Sequence, residues 1–308
     1  MSAWSFIRFP PTDPSTCRAA ERSDFGEEAA DFGFRVCIAR DGAPAAKRAR
    51  RTIQYMKLPA ACRCLFAIAA FTSSLLATPS TQIWSPSTDV QPYKVWHLGL
   101  DSYTRTTSKG AVTNNVYDAG LTVGVLPYEK VQLETGIDYL ETGTNSAADH
   151  SPIYFNAKLG TPEGSLGSGS PAFAVGGYNF GTKTGVTTQN IAYGLLAKTL
   201  PKTSSLPSLG RISLGYYRGS KRVLVDENGY AAEDGMILTW DRTMSEISDK
   251  LWLAVDYASG RSANGALNFG FAWSFAKNTS VIFAYDIYNN KKTGGKDTVT
   301  IQLDINFP

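Results

Sequence analysis

From Asp297 to Phe307 the chain places Val299, Ile301, Leu303, Ile305 and Phe307 on one face and Thr300, Gln302, Asp304 and Asn306 on the other. A period of two is the signature of a strand with two unlike faces. The pattern recurs about a dozen times, with turn residues between, and predicts strands near 95–106, 114–126, 130–141, 152–160, 172–180, 189–200, 210–219, 235–243, 250–258, 265–275, 279–289 and 297–307. No stretch of this region has helical periodicity, and none is apolar enough to span a bilayer as a helix. Faces such as Leu267, Phe269, Phe271 and Trp273 would make an open sheet aggregate. The expected fold class is therefore all-β: a transmembrane antiparallel up-and-down β-barrel of about 12 strands, over residues 95–308.

The front end has a different character. After Met56 come Lys57 and Arg63, the apolar run Leu65 to Leu76, and then Ala77, Thr78, Pro79 and Ser80. A basic start, a short apolar run and small residues give residues 56–80 the look of a secretory signal peptide, expected to be cut after Ala77 or after Ser80. The run falls short of the roughly 20 residues a membrane-spanning helix needs. Residues 1–55, rich in Ala and Arg and without periodicity, are expected to be a mis-assigned, disordered extension upstream of the true start at Met56. The Arg50-Arg51 pair is the whole of any likeness to a twin-arginine signal. Residues 81–94, with Pro86 and Pro92, are expected to be a periplasmic lead into the first strand.

Cleavage changes the chemistry of the chain. Cys17, Cys37, Cys62 and Cys64 precede it, which removes disulfides, thiolate metal sites and cysteine nucleophiles from what remains. Of 30 Lys+Arg and 27 Asp+Glu, the first 77 residues hold 11 and 7, leaving 19 against 20. The positive balance of the full chain thus gives no argument for nucleic acid binding.

Connections and aromatics orient the barrel. Tight links at Pro127 to Lys130 and Ala276 to Thr279 fall on the end that carries both termini, and the longest link, Lys221 to Asp234, falls on the other. Links 161–171 and 201–209 are longer than that rule expects. On outward positions Trp96, Trp240, Trp273, Phe275 and Phe307 sort to the terminal end, while Tyr117, Tyr139, Tyr178, Tyr216, Tyr257 and Tyr285 sort to the opposite one. Such girdles mark membrane interfaces.

With a signal peptide, alternating strands and a last strand closing on Phe307, the chain from about residue 93 resembles the outer-membrane β-barrel, or porin-like, superfamily of Gram-negative bacteria. Twelve-stranded passive transporters are the nearest type, and Pro308 after the terminal Phe departs from the pattern. The resemblance implies a place in the outer membrane among lipid and lipopolysaccharide, and biogenesis through periplasmic chaperones and the barrel-assembly machinery. It also implies small solutes as the cargo, and neither cofactor nor metal.

Apolar faces turned outward leave Asp101, Asp118, Glu134, Asp138, Asp241, Asp256, Asp286 and Asp304 facing inward, with Arg105, Lys158, Lys198 and Arg211. Three of the four basic residues lie on strands four, six and seven. That sorting predicts a basic wall opposite an acidic one, a transverse field able to act on solutes. The same charges could instead pair across a filled lumen. An open lumen makes a passive pore, and a filled one a structural, adhesion or assembly barrel acting through its outer loops.

Enzymatic readings are weaker. His97 and His150 are the two histidines. The row Asp149-His150-Ser151 is a poor triad, because catalytic members converge in space, and His97 has no serine to nominate. Asp226 to Gly229 lacks the later bidentate Glu of a calcium loop, and the Gly-rich stretch 160–169 precedes a strand, not a phosphate-cradling helix. No spacing suits zinc. The chain is read as a non-enzyme.

Overall fold

The structure, a computed structural model, describes residues 80–109, 112–202 and 208–308. The four cysteines, the upstream extension and all of the expected signal peptide except Ser80 lie outside the described residues.

The twelve strands are β1 (Trp96–Arg105), β2 (Val116–Gly124), β3 (Gln132–Glu141), β4 (Ile153–Thr161), β5 (Ala172–Gly181), β6 (Thr188–Thr199), β7 (Arg211–Arg218), β8 (Asp234–Thr243), β9 (Leu251–Ala258), β10 (Ala266–Ala276), β11 (Thr279–Tyr288) and β12 (Thr298–Phe307). Each pairs antiparallel with its sequence neighbours, and β1 pairs with β12 from Trp96↔Phe307 to Arg105↔Thr298. The sheet closes on itself as an up-and-down barrel. Closure satisfies every sheet edge, which a strand in hydrocarbon requires.

Burial is inverted relative to a water-soluble strand. In β12 the buried residues are Thr298, Thr300, Gln302, Asp304 and Asn306, whereas Val299 and Ile301 are exposed. Phe269, Phe271, Leu238 and Leu214 likewise face outward. Cross-strand aromatic pairs reinforce that surface, with Phe271 and Phe283 stacked at 5.4 Å and Phe269 and Tyr285 at 5.8 Å.

The inner face is not uniformly polar. Ile191, Tyr193, Leu195, Tyr217, Ile237 and Ala258 form an apolar cluster inside the β6–β9 arc, joined by Leu224 from the β7–β8 loop. Ala254, Ala272, Ile282 and Ala284 form a second cluster that surrounds Ile83. Part of the lumen is thus a packed core.

The segment before β1 departs from the expected periplasmic lead. Residues 80–92 fold into the lumen, where Gln82 N–H donates to the Ser85 carbonyl (2.7 Å) and Ile83 and Trp84 form the tip of a tight turn. The returning chain crosses the terminal mouth over β2. There a Cβ on Gly124 would lie 1.9 Å from the Pro92 carbonyl oxygen, so only glycine admits the crossing. Lys94, with φ of 64°, turns the chain into β1. The reason for the difference is chemical: buried lumenal carboxylates and cations find their hydrogen-bond partners on this segment.

Candidate functional site: the lumen

Wall and inserted segment meet through charged groups. Arg211, on β7, donates from both terminal nitrogens to Asp89 of the segment (2.7 Å each) and from Nε to Asp241 of β8 (2.9 Å). Asp241 also accepts from Gln82 Nε2 (3.0 Å). Lys158 pairs with Glu134 at 3.1 Å and donates to the Ser80 carbonyl, while Glu134 accepts the Gln91 N–H. Asp256 accepts from the backbone N–H groups of Ile83 (2.8 Å) and Trp84 (3.0 Å), from Ser85 Oγ and from Asn268. Gln302 donates to the Ile83 carbonyl at 2.7 Å. The Trp84 indole donates to the Asn264 carbonyl (3.0 Å) and packs edge-on against Tyr103 and Tyr288.

On the β1–β5 side the segment leaves a cavity of about 230 Å³. Asp101, Asp118 and Asp138 share its wall. Asp101 and Asp118 are register partners, and Asp138 lies opposite Gly120, where a Cβ would come within 2.7 Å of its Oδ1. Their donors are neutral: Tyr103 OH to Asp101 at 3.3 Å and Asn156 Nδ2 to Asp138 at 2.7 Å. Asp118 Oδ1 is buried without a hydrogen bond. Among the described residues no lysine, arginine or histidine pairs with any of the three.

Of the remaining residues expected inside, Asp286 accepts from Thr298 (2.6 Å), and Asp304 lies 3.3 Å from His97 Nε2. Arg105 stands at the far mouth, its guanidinium 5.0 Å from the Tyr288 ring centre. Lys198 does not face the lumen. Its register partner is exposed Ile212, whereas Ala197 and Ser213 point inward, and its ammonium pairs with Glu163 (2.9 Å) at the rim. β6 is apolar on both faces, so its alternation alone does not fix the phase of Lys198. The basic wall is corrected with it: Lys198 lies outside, and Lys158 and Arg211 are held in ion pairs.

All the girdle aromatics named above face outward at the expected ends except Tyr178, which turns inward to pack on Tyr193 and donate to Asn264 (3.2 Å). Tyr178 follows the inward parity of Ala172 and Ala174, and the register shift that comes after it turns Phe180 outward.

Neither histidine lies in a triad. His97 Nδ1 is 2.8 Å from Asn306 Oδ1, and His150 contacts Asn145. Asp149 instead ties its own loop. Partial burial opposes its charge, but the N–H and hydroxyl of Thr142, the N–H of Ser146 and the Thr144 hydroxyl hold the carboxyl well below the usual range. Asp226 accepts from the N–H groups of Asn228 and Tyr230 as a turn. Among the described residues no cluster of His, Cys, Asp and Glu could hold a metal ion.

A closed barrel that is apolar outside and polar or packed inside is a transmembrane β-barrel. No protein-family model and no curated protein matches the chain. Solved structures similar to it include a mutant of the Rhodopseudomonas blastica porin, at 13% identity over 62% of this chain and 55% of that one, with a TM-score of 0.34. The KdgM porin is 10% identical over 70% of this chain and 98% of its own (TM-score 0.40), and Omp33 of Acinetobacter baumannii 11% identical over 71% and 100% (TM-score 0.39). The chain spans 55% and 58% of the length of the first two solved structures it matches.

Proposed function

We propose that this barrel sits in the outer membrane of a Gram-negative cell as a porin-like passive channel of narrow bore for small solutes, preferring cations. The observation that carries this reading is the cavity beside β1–β5, whose wall holds Asp101, Asp118 and Asp138 with no ion-pair partner among the described residues, while Lys158 and His97 on the same wall are paired with Glu134 and Asp304. Carboxylates in a confined passage of low dielectric concentrate cations and repel anions. Selection then follows from bore and field, without a bound intermediate.

The test is single-channel recording in planar bilayers, using protein purified from membranes after export of the full chain. Discrete, salt-dependent steps with a cation-selective reversal potential are expected, and Asp118→Asn should reduce the selectivity. A folded, heat-modifiable protein that never conducts would end the channel reading. The packed β6–β9 arc and the inserted segment favour one alternative, a closed barrel acting through its outer loops, and silence in the bilayer is its result.

A further inference from the structure

We infer that residues 81–91 are a releasable plug that occupies the channel from the terminal mouth and sets its bore. This inference rests on the channel reading above. The wall does not depend on the segment for its own closure, because all twelve strands hydrogen-bond to their neighbours around the ring. Conversely, the segment adds no strand to that ring. Among the described residues, the bridge to the wall is made by Tyr93, beyond the segment, to Gly124 at the mouth, while the Thr81–Pro86 bridge is internal to the turn.

The deeper contacts described above run through side chains of the wall. Asp256 takes three donors from Ile83, Trp84 and Ser85. Arg211 grips Asp89, and Gln302 grips the Ile83 carbonyl. Ile83 sits among Ala254, Ala272 and Ala284, small residues that leave a recess of its shape in the wall. Such a set of contacts can be broken and remade without disturbing a backbone ladder, which separates a docked segment from a structural strand. On withdrawal of the segment, the cavity beside β1–β5 would widen into the vacated space.

The experiment compares three exported proteins in planar bilayers: wild type, an internal deletion of Thr81 to Gln91, and Asp256→Ala, which keeps the segment but removes its main acceptor. The deletion should raise the single-channel step about twofold or more. A synthetic peptide of residues 81–91, added on the side of the terminal mouth, should return it towards the wild-type level. Asp256→Ala should flicker between the two levels. A deletion with wild-type steps, or steady wild-type behaviour of Asp256→Ala, would overturn the plug and leave the channel standing. If none of the three conducts although all are heat-modifiable, both readings fall. Should the deletion not assemble, Asp256→Ala decides alone.

Discussion

Lys158 and Glu134 show what a buried ion pair does inside this lumen. Both side chains are almost completely enclosed, so removing one partner strands the other charge away from water. Lys158→Ala should cost about 3–5 kcal/mol, whereas Lys158→Met with Glu134→Leu should recover most of it. Urea unfolding in lipid vesicles measures both. A different carboxylate governs the far-end loop. The Asp149 carboxyl is held below its ordinary value, so its stabilising effect is complete above the unfolded carboxylate pKa of about 4 and is lost only as pH falls through the lower folded value. Hydrogen exchange at Thr142, Thr144 and Ser146 should therefore stay protected from neutral pH down to about 4 and loosen only on further acidification. Asp149→Asn should remove that protection at neutral pH. Early loss in the wild-type protein would mean that these hydrogen bonds do not hold the loop.

The number and placement of the strands could be read from the sequence because alternation is a local property, and where a charge sits in mid-strand the lipid penalty forces its phase. Asp101, Asp118, Asp138 and Asp304 face inward for that reason. Reading failed where the penalty was silent. β6 carries Ile191, Tyr193 and Leu195 inward and Leu196 outward, so hydrophobicity does not choose between its faces, and Lys198 lies on the outer one. In β5 Tyr178 keeps the inward parity of Ala172 and Ala174 and stays in register with buried Ile191, but this nearly uncharged strand, with Gly176 and Gly177, carries no charge to fix that phase. The lumenal segment left one readable clue, the apolar pair Ile83-Trp84 in a Pro- and Ser-rich stretch; its partners Asp256, Gln302 and Arg211 lie more than a hundred residues away in sequence. The phase argument can be checked on β12. Ile301→Arg places a charge against lipid near mid-strand and should cost about 2–4 kcal/mol, while Thr300→Arg, turned inward, escapes that depth-dependent penalty. Equal losses measured as folded, heat-modifiable protein would mean that the outer face does not meet hydrocarbon.

At the scale of the whole molecule, the two ends of the barrel are unlike, and that asymmetry predicts an orientation. The terminal end has the two-residue link between Ala276 and Thr279, while the far end has the long loop between Arg218 and Asp234, anchored inward by Leu224 and exposing Tyr230. Barrels of this class keep short turns and both termini in the periplasm and longer loops outside. The tryptophans at one rim and the tyrosines at the other do not discriminate, since both interfaces accept aromatic side chains. The cysteine count makes a direct test possible. All four cysteines lie at or before Cys64, so cleavage after Ala77 or Ser80 leaves a thiol-free background. With Asn228→Cys in the far loop, a membrane-impermeant maleimide should label intact cells. With Asn278→Cys in the short link, labelling should require opening of the outer membrane. The reverse pattern would invert the barrel and put the mouth that holds the plug at the cell surface. Labelling of wild-type protein, without either substitution, would show that the upstream cysteines are retained and that the expected cleavage does not occur.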